Sequence, residues 1–366
     1  MLRLEQIRLT QFKNHPDTGY TFGARVVGIA GPNGVGKTNL LDAIHTLCFT
    51  RSYFTRQDQL LSRHGAVGFR LEGRFQKLTQ SLDVALICRE AGKKEVRLDG
   101  DLLPRLADQL GRFPVVMIAP DDAELVQGDS KVRRQFLDAL ICQLDPAYLN
   151  TLTAYNKILA QRQALLREWS EQGPAPTRTA LLDVLDSQWV DAVQRLVPAR
   201  QTWTLALQQQ VVRLYQQFAG HRDDVSLEYL SDLGSADPIE QIRSNRSRDL
   251  AAQRNTIGPH RDDLLFLFGP HPFKQVASQG QRKTLLFALK LATCQLLEEK
   301  LGVPPLLLLD DVFEKLDGER THALLDWVAN QTDAQVFITD TDPMRLQSHL
   351  GPLHPAWQLL EIGNRS

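Results

Sequence analysis

The sequence predicts an α/β fold: a head of mixed sheets with flanking helices, interrupted by a helical lid domain that carries an antiparallel helical arm. Three observations lead there. Residues 1–120 read as short alternating strands with one clear helix, residues 121–255 read as helix almost throughout, and from residue 256 strands and helices alternate again. The stretches 1–120 and 256–366 are therefore expected to form one head, with 121–255 inserted as the lid and arm.

The elements follow in order. LRLEQIRLTQF alternates polar and apolar residues, ARVVGIA is a short buried-type strand, and residues 37–48 place Leu40, Leu41, Ile44 and Leu47 at helical spacing. RLEGRF, SLDVALICRE and KKEVRLDG, the last ending at Asp99-Gly100, predict an antiparallel sheet, and FPVVMIA a further strand. Then Leu149, Leu152, Tyr155, Leu159, Leu166 and Trp169 keep mostly three-to-four spacing, and Leu182, Leu185, Trp189, Val193 and Leu196 repeat it. These are two long amphipathic helices, and the breaker Gly173-Pro174-Ala175-Pro176 between them marks the tip of an arm. After it come the strand DLLFLF, a helix over 280–299, the strand PLLLLD, a helix near 319–329 and the strand QVFIT.

Composition narrows the class. With 43% hydrophobic and 23% charged residues in 366, the chain is a folded soluble protein, not a disordered, collagenous or disulfide-scaffold one. No apolar run approaches the roughly 18 residues of a membrane helix, and MLRLEQIRLT is no signal peptide. Cys48, Cys88, Cys142 and Cys294 form no CxxC pair and have no nearby His at metal spacing, so they read as reduced core residues of a cytoplasmic protein. Forty-two Lys and Arg against 43 Asp and Glu give a net charge of −1, so a nucleic-acid partner must be argued from local patches.

The chemistry begins at Gly31-Pro32-Asn33-Gly34-Val35-Gly36-Lys37-Thr38, which fits G-x-x-x-x-G-K-[ST] between a hydrophobic strand and an amphipathic helix, with Asn39 next in that helix. Backbone N–H groups wrap β- and γ-phosphates only where no Cβ intrudes, and a helix N-terminus adds positive potential. Lys37 would face the β/γ oxygens as a catalytic cation, and the Thr38 hydroxyl would ligate Mg²⁺. The expected ligands are ATP and Mg²⁺. Leu306-Leu307-Leu308-Leu309-Asp310 is a buried-type strand ending in a carboxylate, the pattern in which Asp310 holds Mg²⁺ directly or through water. Asp311 follows, placed to polarise the attacking water. About 30 residues before that strand, Ser278, Gly280 and Gln281 open a helix.

That order of motifs resembles ABC-type ATPases, whose signature helix points its N-terminus at the γ-phosphate held by the opposite subunit. By that resemblance Ser278, Gly280 and Gln281 complete a partner's nucleotide site, Glu314-Lys315-Leu316-Asp317 falls at the D-loop, and Thr339-Asp340 stands where many members carry a switch histidine. The 241 residues between Lys37 and Ser278 exceed a transporter subunit's spacing and fall short of the long coiled coils of SMC proteins. The chain resembles the RecF family of bacterial recombination-repair ATPases nearly end to end. Gly36-Lys37-Thr38-Asn39-Leu40-Leu41-Asp42-Ala43-Ile44, PDDAELVQGDSKVRRQFLDALICQLDPAYLNTLTAYNKILAQRQALL, GPHRDDL, SQGQRKTLLFALKLA and LLLLDDVFEKLD carry the likeness. It implies an ABC-type head with a helical lid, a weak ATPase serving as a binding switch, and an ATP-dependent head-to-head homodimer. It further implies preference for DNA at single-strand/double-strand gaps, partnership with RecR, RecO in the same pathway, help in placing RecA, and no membrane.

Two other classes stand beside this reading: the ATPase subunit of a membrane transporter, and a small-molecule phosphotransferase using the phosphate loop alone. For DNA, Lys131, Arg133 and Arg134 open a lid helix, and Arg243, Arg246, Arg248 and Arg254 crowd a segment of little apolar content; each cluster reads equally as phosphate contacts or as internal ion pairs. The resemblance favours a structural or nucleotide-sensing role for Arg133 and Arg134. His260-Arg261-Asp262-Asp263 reads as a structural or DNA-facing loop rather than a metal cluster, and Lys13 and Asn14 resemble the region that meets the nucleotide in related heads.

Overall fold

The structure, a computed structural model, describes residues 1–90, 93–220, 223–233, 237–314, 316–352 and 357–363. The first strands, β1 (Leu2–Phe12), β2 (His15–Thr21) and β3 (Val26–Ala30), lead into α1 (Lys37–Phe49). After a loop come β4 (Phe69–Lys77), β5 (Gln80–Glu90), β6 (Lys93–Leu98), β7 (Asp101–Leu102) and β8 (Val115–Ile118). Among the described residues these strands make an antiparallel six-stranded sheet, β2-β1-β4-β5-β6-β7, in which Leu9 lies opposite Leu71 and Leu71 opposite Leu86. Strand β2, HPDTGYT, escaped the sequence reading because it carries almost no apolar alternation; pairing with β1 supplies its backbone partners.

The middle of the chain contains α2 (Ala123–Gln127), α3 (Ser130–Leu144), α4 (Pro146–Gln172) and α5 (Pro176–Ala219), followed by β9 (Val225–Leu230), α6 (Pro238–Ser244), α7 (Arg246–Ala252), β10 (Asp263–Phe268), β11 (His271–Pro272) and α8 (Phe273–Val276). Asp129 caps α3 through the N–H groups of Lys131 and Val132, and Asp145 caps α4 with Pro146 in its first turn. The two arm helices turn at Gly173, as the Gly-Pro-Ala-Pro breaker predicts. The 44-residue α5 carries Pro198 in its interior.

The chain then returns through α9 (Gln279–Leu301), β12 (Leu306–Leu309), α10 (Gly318–Asn330), β13 (Val336–Asp340), α11 (Pro343–Leu350) and β14 (Trp357–Glu361). A parallel five-stranded sheet forms in the order β14-β3-β13-β12-β8, so strands far apart in sequence become neighbours. Strands β3, β8, β12 and β13 are buried along their whole length, as strands covered on both sides are. Leu40, Leu41, Ile44 and Leu47 of α1 share one core with Leu4, Leu9, Leu71 and Phe75 of the antiparallel sheet and with Val27, Ile29, Leu306 and Phe337 of the parallel one. Ten of its residues are buried, including Asp42, His45 and Thr46, so α1 lies in the interior rather than on an amphipathic surface.

Two compact units emerge. One comprises residues 1–123, 210–222 and 279–366, the other 124–209 and 223–278. The division departs from the expected one at residues 256–278, which group with the helical unit. The reason is pairing: β10 lies antiparallel to β9, with Leu264 opposite Tyr229 and Phe266 opposite Leu227, so this strand joins a three-stranded sheet with β11 and β9 and not the head's sheets. The C-terminal stretch of α5, 210–219, groups with the head.

Candidate nucleotide-binding site

The phosphate loop follows β3 and ends at Gly36, the N-cap of α1, at φ 110°. A Cβ there would stand 2.6 Å from Asn14 Nδ2 and 2.8 Å from His15 Nε2, so both the backbone angle and the space require glycine. Asn14 secures the loop's underside: its Nδ2 donates to the Val35 carbonyl at 3.0 Å, and Asn39 Nδ2 donates to its Oδ1 at 2.8 Å. Asn14 therefore supports the loop that would meet the nucleotide. Lys13 is turned to an internal partner. Its ammonium lies 2.6 Å from the fully buried Asp42 carboxylate, which also accepts from Ser52 Oγ and Tyr53 N, so Lys13 anchors α1 and its following loop.

Lys37 is buried and its Nζ donates to the carbonyls of Gly31 at 2.7 Å and Pro32 at 3.1 Å. Pro32, Asn33 and Gly34 are exposed, as a loop open to phosphate must be. Thr38 Oγ1 reaches Asp310 Oδ1 at 2.9 Å and Oδ2 at 3.1 Å across 272 residues of sequence. The parallel sheet makes this possible: β13 lies between β3 and β12, and all three strands end at the same edge, where open α/β sheets bind ligands.

Burial holds the Asp310 carboxyl above the ordinary aspartate range, against hydrogen bonds from Thr339 and Thr38 that lower it. Asp311 is raised too, first by burial and then by Glu314 and Asp340, with Lys37 opposing. Two adjacent carboxylates held this way favour a bound cation. Among the described residues no group of three or more His, Cys, Asp or Glu side chains could hold a metal by itself. A hydroxyl and a carboxylate in contact suit Mg²⁺, which takes its other ligands from phosphate and water.

The structure thus gathers Gly31 to Asn39, Asp310 and Asp311. Ser278 immediately precedes α9, and Gly280 and Gln281 lie in its first turn, where Gly280 lies against Arg320 of α10 so closely that a Cβ would sit 2.9 Å from Arg320 Nη2. Arg320 also donates from Nε to Thr284 Oγ1 at 2.9 Å and pairs with Asp317, the N-cap of α10. Lys315 of the expected D-loop lies outside the described residues. At the expected switch position, Asp340 is buried and held by Arg345 through bonds of 2.8 and 2.6 Å, while Thr339 joins the carboxylates. Sequence reasoning missed Arg320 and Arg345, single arginines in amphipathic helices with no distinguishing spacing.

The basic clusters separate in the same manner. Arg133 makes a fork on Asp263 at 2.7 and 2.8 Å, Arg134 donates to the Asp262 carbonyl, and Arg246 pairs with Asp183 and Asp186. Arg133 and Arg246 are internal ion-pair residues, and Arg134 is tied to the backbone. Lys131, Arg243, Arg248 and Arg254 are exposed. His260 is structural: Nδ1 meets the Tyr155 hydroxyl at 2.7 Å, Nε2 meets the Asn255 carbonyl at 3.1 Å, and burial lowers its pKa.

Comparison with known proteins then decides the kinship. The chain matches the family described as the RecF/RecN/SMC N terminal domain over residues 3–349. It is 31% identical over 361 residues to the DNA replication and repair protein RecF of Flavobacterium johnsoniae, covering 99% of this chain and 100% of that one. The chain belongs to the RecF family. A solved structure of the recombination mediator protein RecF-ATPrS in the RecFOR pathway superposes with a TM-score of 0.86 at 27% identity, covering 93% of each chain. The Smc head domain of Pyrococcus furiosus, at 14% identity and a TM-score of 0.55 over 99% of this chain and 94% of that one, shares the fold. The first unit is thus the ABC-type P-loop head that the motif order predicts, and no helix among the described residues is long and apolar enough to cross a membrane.

Proposed function

We propose that this RecF-family chain is an ATP-dependent DNA-binding protein of recombinational repair, working in the cytoplasm. In this reading ATP joins two heads on DNA at a single-strand/double-strand gap, slow hydrolysis releases them, and the closed state assists RecR, with RecO in the same pathway, in placing RecA. The observation that carries it is the gathering of Lys37, Thr38, Asp310 and Asp311 at one sheet edge, on a chain whose relatives are named for DNA replication and repair. The family match supports this reading over the transporter, against which the long lid and the missing switch histidine argue, and over the phosphotransferase, which leaves Ser278, Gly280 and Gln281 idle.

The residues divide the work. Lys37 and the N–H groups of Gly34 to Thr38 hold the β- and γ-phosphates. Thr38 and Asp310 would hold Mg²⁺, which when bound neutralises charge developing between those phosphates. Asp311 orients the attacking water. Ser278 and the N-terminus of α9, with Gly280 and Gln281, close over the nucleotide of the opposite copy, so that an isolated chain hydrolyses weakly. Lys131, Arg243, Arg248 and Arg254, doubled by dimerisation, supply phosphate contacts without reading bases.

The test is sedimentation of the chain with and without ATP, repeated with gapped duplex. A monomer alone, a dimer with ATP, and DNA bound only by the dimer are expected, with a log–log salt slope of roughly −0.9 per phosphate neutralised. Equal DNA affinity without nucleotide, or a slope near zero, would defeat the clamp reading.

A further inference from the structure

The hydroxyl of Thr339 occupies an unusual place. Strand β13 runs between β3 and β12, and Thr339 sits at its carboxyl end, fully buried, with Ile29 opposite it on one side and Asp310 just beyond the Leu309–Ile338 pair on the other. Its Oγ1 accepts the Asp311 N–H at 2.9 Å, donates to Asp310 Oδ1 at 2.9 Å, and lies 3.4 Å from Asp311 Oδ1. One residue further, the Asp340 carbonyl accepts the N–H of Gly31, the first glycine of the phosphate loop, at 3.3 Å. Asp311 itself has φ 46°, the left-handed region that a non-glycine residue enters only when its surroundings hold it there.

We propose that Thr339 is a positioning residue for ATP hydrolysis: one hydroxyl fixes the kink between Asp310 and Asp311 and so sets the direction of the Asp311 carboxylate. The inference rests on the reading of Asp311 as the group that orients water. Asp310 has a second anchor in Thr38, with two contacts of its own, whereas the Asp311 N–H is held by Thr339. Loss of the hydroxyl therefore falls mainly on Asp311. A group that acts only in the hydrolytic step should change kcat and leave nucleotide affinity nearly alone.

The experiment compares Thr339→Val, which keeps the shape, with Thr339→Ser, which keeps the hydroxyl, in the full-length chain; Thr339→Ala replaces the valine variant if that one does not fold. Single-turnover hydrolysis gives the rate, and fluorescent ATP analogue binding gives Kd. Thr339→Val should slow hydrolysis about tenfold with Kd within about threefold, and Thr339→Ser should stay within about twofold of the unsubstituted chain. In an Asp311→Asn background, Thr339→Val should add little, because the two changes act on one group. An unslowed valine variant, a serine variant as slow as valine, or rate losses that multiply in the double variant would each overturn the positioning role. Asp311→Asn hydrolysing normally would overturn the underlying assignment of Asp311 itself, whatever Thr339→Val does.

Discussion

Arg162 should be among the residues the helical unit can least do without. Its side chain is 1% exposed and makes three bonds: Nε to Asp186 Oδ1 at 2.7 Å, Nη1 to Asp249 Oδ2 at 2.5 Å, and Nη1 to Asn255 Oδ1 at 2.5 Å. Arg162→Met preserves much of the volume and removes the charge. Both carboxylates are fully buried, and breaking a buried pair from one side typically costs about 3–5 kcal/mol. The loss is tempered because each keeps help on its other oxygen: Arg246 Nε on Asp186 Oδ2 at 2.7 Å, and Asn245 Nδ2, Thr256 N and Thr256 Oγ1 on Asp249 Oδ1. The expected destabilisation is therefore at the lower end, about 3 kcal/mol, which in a unit of roughly 140 residues lowers Tm by about 10 °C. Thermal melting followed by circular dichroism measures it. Adding Asp186→Asn should recover part of the loss, since an unpaired amide is cheaper to bury than an unpaired carboxylate. A Tm within about 2 °C of the unsubstituted chain would refute the argument that this guanidinium neutralises the interior of the unit.

Three further outcomes are expected. Lys37→Ala should abolish nucleotide binding or turnover in a chain that still melts normally, whereas Asp311→Asn should bind ATP, hydrolyse it slowly and accumulate as the closed dimer; sedimentation and phosphate release separate them. Ser278→Arg should be inactive alone, yet mixing it with Lys37→Ala should restore part of the turnover, because a mixed dimer keeps one intact composite site; no recovery at any ratio would argue against completion in trans. Arg243→Glu should weaken DNA binding for all sequences alike with Tm unchanged, while Arg246→Glu should lower Tm first, since it faces the buried Asp186; fluorescence anisotropy read beside a melting curve shows whether the two arginines differ in this way.

Much of the site was legible in the chain because its chemistry is local. A phosphate loop needs its glycines, lysine and threonine contiguous, since successive backbone N–H groups must converge on one group of oxygens. The same locality made α1, α9, β12 and the Gly173 turn readable, each from its own periodicity or breaker. Lys13 could not be placed so, because whether an ammonium beside a phosphate loop faces solvent or a buried carboxylate depends on Asp42 being carried inward on α1. Arg133 and Arg246 posed the same difficulty: a charge run looks alike whether its partners are phosphates or aspartates more than fifty residues away. By itself the sequence determined the phosphate-loop motif, the helical texture of the middle of the chain and the kinship, all signals written within short windows or in motif order. Only the tertiary structure decided that β10 pairs with β9 and leaves the head, that β13 lies between β3 and β12, and that Thr339 thereby reaches both aspartates. Strand order in a parallel sheet is set by how crossovers pack against one another, and no residue within a strand records which neighbour it will find.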